Sequence, residues 1–135
     1  MGSIAVASGK AVRAMTNPVA AVIADPFYSG ASLMTTKFLK ERPDAARRVV
    51  EVIDEATQLV NADFDKYKPA LPKYTPIKDD QLASLAQPYL RGFKDLNETD
   101  LKSYQALVDV FIKEGVMNGP MNVHDKILAK SDLGN

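Results

Sequence analysis

The chain has 135 residues, 46% of them hydrophobic, with 17 basic residues balancing 17 acidic ones and no cysteine. That length and apolar content suit one folded domain and exclude a disordered polymer, and the balanced charge excludes the uniform field that would favour nucleic acid or an anionic membrane. The missing cysteines remove disulfides, thiolate metal sites and cysteine nucleophiles, and no apolar run approaches the roughly 20 residues that cross a bilayer.

Residues 4–15 are small and apolar, interrupted by Gly9 and Lys10, and predict a short helix weakened by its glycine. Met1-Gly2-Ser3 leads into no charged or apolar leader, so no export signal is expected at this start, which has the look of a cloning-derived sequence replacing native chain. Thr16-Asn17-Pro18 breaks the pattern, and residues 19–24 are a β-prone run ended by Asp25-Pro26, predicting a strand or extended connector. Residues 27–33 continue extended, with Gly30 between serines allowing a bend or a close backbone approach.

A short helical turn is expected over residues 35–42, capped by a threonine and ended by Pro43. Pro43 also suits the first position of the next helix, where its missing N–H costs nothing. From there to about Asn61 runs the strongest helical pattern in the chain. Ala46, Val49, Val50, Ile53, Ala56 and Val60 form one stripe, Ala45, Val52 and Leu59 widen it, and Arg47, Arg48, Glu51, Asp54, Glu55 and Gln58 cover the rest. A stripe that broad predicts contact with more than one neighbour.

Asp63 is a candidate cap for a short helix through Phe64, Tyr67 and Leu71, ending among Pro69, Pro72 and Pro76. Thr75-Pro76 repeats the cap-then-proline start before a short amphipathic helix carrying Leu82, Leu85 and Ala86 and interrupted near Pro88. Asn97 should cap the last long helix, with Glu98 and Asp100 in its first turn where the helix dipole favours negative charge, and Leu101, Tyr104, Val108, Phe111 and Ile112 on its buried face. Gly115 is the expected helix terminator, Asn118-Gly119-Pro120 a turn, and Asn122 the cap of a final turn carrying Val123, Ile127 and Leu128, after which the tail should fray. The chain thus reads as mostly α-helical with one or two extended segments near its start. An extended segment without visible partners leaves its backbone donors and acceptors to pair with other chain or a second copy.

Few residues point to chemistry. His124 is solitary, with no cysteine and no HExxH-type spacing, and makes a poor metal site, so no metal or cofactor is expected. Asp79-Asp80 and Asp63/Asp65 are carboxylate pairs, but helix starts explain both, and Arg47-Arg48 share a helix with Glu51 and Glu55, which predicts solvated ion pairs rather than an anion clamp. No GxSxG, GxxxxGK[ST] or GxGxxG occurs, so no catalytic residue is assigned and no enzyme is expected. The segment best suited to a ligand is the extended run holding Tyr28, Ser29, Gly30 and Ser32, whose hydroxyls, aromatic ring and accessible backbone could hydrogen-bond a small polar molecule; the plainer reading is a connecting segment.

One order of segments is more specific. An extended stretch, then TKFLKERPDAARRVVEVIDEATQLV, then KYKPALPKYTPI, then FIKEGVMNGPMNVHDKIL resembles the C-terminal part of periplasmic solute-binding proteins of ABC importers, of the nitrate, taurine, alkanesulfonate and thiamine-pyrimidine-precursor type. The resemblance spans roughly residues 20–128 and rests on Phe38-Leu39, Pro43-Asp44, the alanine-rich helix and Gly115. It implies a two-lobe α/β fold of which this chain is a fragment: residues 4–23 a remnant of the second lobe, 24–35 the hinge crossover strand, 36–128 the C-terminal helical part of the first lobe, and 129–135 a tail. It further implies a small-molecule ligand, an ABC permease as partner, an extracytoplasmic location for the whole protein and, for the fragment, self-association through uncovered apolar surface. Thiamine-pyrimidine synthases share the fold but need histidine- and cysteine-rich chemistry that this chain lacks. An independent helical interaction domain is the alternative.

Overall fold

The computed structural model describes residues 2–133, apart from the side chains of residues 2, 3 and 130. Among the described residues seven α-helices follow one another: α1 (Gly2–Ala7), α2 (Pro18–Val22), α3 (Thr36–Glu41), α4 (Pro43–Ala62), α5 (Phe64–Tyr67), α6 (Leu71–Tyr74) and α7 (Glu98–Lys113), joined by short 3-10 turns and irregular chain. The chain is mostly helical, and no strand occurs among the described residues.

Local chemistry explains most boundaries. Thr35 Oγ1 accepts from the Phe38 N–H and starts α3, and Pro43 opens α4. Asp63 caps α5 through Lys66 N–H, and Asn97 caps α7, its Oδ1 accepting from Thr99 and Asp100 N–H groups at 2.9 and 3.3 Å. Gly115, at φ +71°, ends α7 in the left-handed region that glycine adopts without a Cβ penalty. Its N–H reaches Ile112 O, and Val116 N–H returns to Phe111 O. Asn122 caps the turn at Val123–Asp125.

Four expectations are corrected. Residues 19–24 do not form a strand: Pro18 and Val19–Val22 make one helical turn, entered through Asn17 at φ 47°, with Ala21 N–H bonded to Asn17 O and Ile23 N–H to Val19 O. With no strand beside it, this segment satisfies its backbone locally, and residues 24–35 likewise form irregular chain rather than a crossover strand. The first helix stops at Ala7, not near Met15, because Gly9 turns left-handed (φ +71°) and its N–H closes on Val6 O. The amphipathic helix expected around Leu82 is a 3-10 turn, Asp79–Ser84, where Ser84 Oγ donates to Gln81 O and the nearby Pro88 has no N–H with which to extend a helix. The tail is not frayed through Leu133: Lys130–Leu133 forms a 3-10 turn, Asp132 accepts from Ala129 N–H at 2.8 Å, and Leu133 is buried.

The chain divides into two packed units. One contains residues 2–16 and Val52–Gly92, with α1 lying on the Asp79–Ser84 turn and the end of α4 tied to the following chain: Asn61 Nδ2 donates to Leu90 O and Gln87 Nε2 to Asn61 O. The other contains Asn17–Glu51 and residues 93–133, with Tyr28, Ala46, Val123 and Leu133 buried. In this unit Gln105 of α7 holds the Val123 turn, accepting from Val123 N–H and donating to Met121 O.

The core is small for the chain. Accessible surface totals 10105 Å². Among the described residues only Tyr28, Ala46, Val123 and Leu133 are buried hydrophobic side chains. Four of the exposed large hydrophobic residues, Val49, Val52, Ile53 and Leu59, lie on α4. Successive helical residues are about 100° apart, so Ala46, Val50, Asp54 and Thr57 fall on one side, and Ala46, Asp54 and Thr57 are buried. Arg48, Glu51, Glu55 and Gln58 occupy the opposite, solvated side. Between these two sides runs an arc roughly 120° wide that is apolar and uncovered: Val49 (40% exposed), Val52 (64%), Ile53 (40%), Ala56 and Leu59 (46%). An apolar arc of that width is what a helix normally turns toward a core.

Candidate functional site

The irregular segment between α2 and α3 carries the four residues that the sequence marks for ligand binding, and the structure treats them differently. Ser29, Gly30 and Ser32 are exposed. The Ser29 and Ser32 hydroxyls form no hydrogen bond with described residues, and a Cβ added at Gly30 would meet open space. Tyr28 is buried at 8% exposure, with its hydroxyl donating to Asp100 Oδ1 at 2.5 Å.

Three neighbours hold Tyr28 in place. Asp100 lies in the first turn of α7 and is fully buried. Its second oxygen accepts from Asn97 N–H at 3.0 Å, closing a reciprocal pair with the Asn97 side chain, so the same carboxylate finishes the helix cap and receives the tyrosine. One turn along α7, Tyr104 stacks on Tyr28 with centroids 4.9 Å apart and planes 11° from parallel. The Tyr104 hydroxyl reaches the Gly30 carbonyl at 3.3 Å. Burial pushes the Tyr104 phenol above its ordinary value, and the Asp100 negative charge adds to that. Within one unit, then, both ends of the Tyr28–Ser29–Gly30 stretch are fastened to α7 while the serine hydroxyls stay open to solvent. Asp100 thus has one oxygen on the Tyr28 hydroxyl and the other on the Asn97 N–H.

The remaining candidates have other partners. His124 Nε2 lies 3.7 Å from Glu98 Oε2, both exposed. Asp63 is a cap and Asp65 pairs with Lys68 at 2.6 Å. Asp79 and Asp80 are exposed in the first turn of their 3-10 segment. Arg47 departs from the solvated role expected of it: Nε and Nη2 both donate to Leu133 O, at 3.2 and 2.9 Å, and its approach to Asp44 is only 3.7 Å. Arg48 lines an open dip at the α3–α4 junction with Arg42 and Asp44. Among the described residues no group of three or more histidine, cysteine or carboxylate side chains could hold a metal ion.

Sequence reasoning gave Asp100 a dipole role and Tyr104 a place on the buried face, but connected neither to Tyr28. The available signal was their spacing of four on one helix face, which places a carboxylate and a phenol side by side. No family model, no curated protein and no solved structure matches this chain.

Proposed function

We propose that this chain is the C-terminal helical part of the solute-binding component of an ABC importer, a two-lobe α/β protein that takes a small anion or a pyrimidine-like solute outside the cytoplasmic membrane. The uncovered arc of α4 is the observation that carries the reading: Val49, Val52, Ile53 and Leu59 present β-branched and aliphatic surface that a sheet from the rest of the lobe would cover. Two further features support it. The order of exposed irregular chain, capped short helix, proline and long helix fits a return crossover followed by lobe helices. The open hydroxyls of Ser29 and Ser32 and the bare backbone at Gly30 suit contact with a polar solute. Function then follows from hinge closure, in which ligand contacts favour the closed lobes and the permease reads that state.

The test is a thermal-shift screen of the protein expressed from its whole reading frame, against nitrate, sulfonates, carboxylates and pyrimidines. A solute at a hundred times its Kd stabilises by about 2.7 kcal/mol, which is readily seen as a raised Tm. If every class leaves Tm unchanged, the solute-binding reading fails. The alternative, a helical interaction domain, is favoured by the absence of strands among the described residues, and it predicts a ligand-silent protein whose α4 arc is covered by another macromolecule.

A further inference from the structure

We propose that Asp100 is a positioning residue: through Tyr28 it clamps the Ser29–Gly30–Ser32 stretch in the one arrangement that presents the serine hydroxyls outward. The proposal rests on the solute-binding reading for its purpose but not for its physics. Residues 29–33 are exposed and belong to no regular element, so the backbone has no ladder or helical bonds to hold it. Order must come from the flanks. On the C-terminal side Thr35 is fixed as the cap of α3. On the N-terminal side the fixed point is Tyr28, the only buried residue of the segment, and its polar atom ends on a carboxylate that is itself fully buried.

The clamp has three contacts, each with its own role. The Tyr28 hydroxyl bond sets depth, the Tyr104 ring sets the plane of the Tyr28 ring, and the Tyr104 hydroxyl on Gly30 O sets where the chain turns outward. Asp100 and Tyr104 are one turn apart on a capped helix, so their separation is rigid and three contacts from one surface define the segment. The Tyr28 hydroxyl and the Asp100 carboxyl group meet in a buried site, where water competes little for the bond. A site held this way loses less ordering entropy on binding than a loose loop does, and the role assigned to Tyr28 is therefore to hold the segment rather than to touch the solute.

The test is 15N relaxation of the amides of residues 29–32 in the wild-type chain, Tyr28→Phe, Asp100→Asn and Tyr104→Phe, with Asp63→Ala as a control that weakens a cap elsewhere. The wild type should show rigid order parameters near 0.85, Tyr28→Phe and Asp100→Asn values below about 0.6 in this segment only, and Tyr104→Phe an intermediate loss. The wild type should also show a slowly exchanging downfield hydroxyl proton that vanishes in Tyr28→Phe. If Asp100→Asn does not fold, Tyr28→Phe still decides, since it deletes one oxygen atom. Unchanged order in a folded Tyr28→Phe, or the same loss in Asp63→Ala, would overturn the proposal. No ligand is used, so a silent solute screen would defeat the transport reading and leave this result standing.

Discussion

Replacing Val52 and Leu59 together by glutamine probes the apolar arc of α4. The uncovered fractions of Val49, Val52, Ile53 and Leu59 amount to about two whole side chains. At about 1.5–3 kcal/mol for each fully buried aliphatic side chain, a covering layer would gain about 3–6 kcal/mol from the arc, and slightly more than half of that belongs to the two substituted positions. In the chain by itself those positions are largely solvated, so the double variant should cost no more than about 1 kcal/mol in urea unfolding. Sedimentation should show the wild-type chain self-associating with concentration and the double variant moving toward monomer. With the covering polypeptide present, the same substitutions should cost about 1.5–3 kcal/mol. A wild-type chain that stays monomeric at every concentration and loses more than about 3 kcal/mol to the double substitution would refute the reasoning, because only an arc already covered could lose that much.

Asn97→Ala should destabilise the chain by about 1 kcal/mol in denaturant titration, since it removes the acceptor of two N–H groups at the start of α7, whereas Asn97→Gly should cost only a few tenths. Gly115→Ala forces a Cβ into the left-handed region and should cost about 1 kcal/mol, with Gly115→Asn costing less; at Gly119 the obstacle is instead the Ile112 side chain, 2.7 Å from where a Cβ would sit. In alkaline titration followed by tyrosinate absorbance, Tyr104→Phe should remove a transition lying above the ordinary phenol value. Asp100→Asn should lower that transition only part of the way, because burial is the larger cause. The sign for stability follows: the folded state keeps the Tyr104 proton to higher pH than the unfolded state, so its contribution is constant below about pH 10 and falls as pH rises through the folded value.

The elements most legible from residues alone are those set by interactions three or four positions long. Thr35, Asp63, Asn97 and Asn122 all accept from N–H groups two or three residues ahead, Pro43 opens α4, and Gly115 turns left-handed where α7 stops. Such contacts form from chain already adjacent, and their donors and acceptors can be paired on paper. The 19–24 segment departs from its β-prone composition for the complementary reason: β-prone residues favour a strand only where another strand receives them, and without one the same residues close a helical turn. Solute binding, by contrast, rests on the order of segments and on the open arc of α4, and the proposed experiments bear on it directly.

Composition and pattern were sufficient, unaided, to define a mostly helical chain, the caps of α3, α5 and α7, the stop of α7 and the breadth of the α4 stripe, because each is encoded in neighbours along the backbone. Which part of that stripe stays open, and which residues hold the serine-bearing segment, was decided only in three dimensions. Tyr28 meets Asp100 across 72 positions and Arg47 meets the Leu133 carbonyl across 86. A carboxylate at the start of a helix looks the same in sequence whether it faces water or receives a buried phenol, and the difference is made by the packing that removes the water.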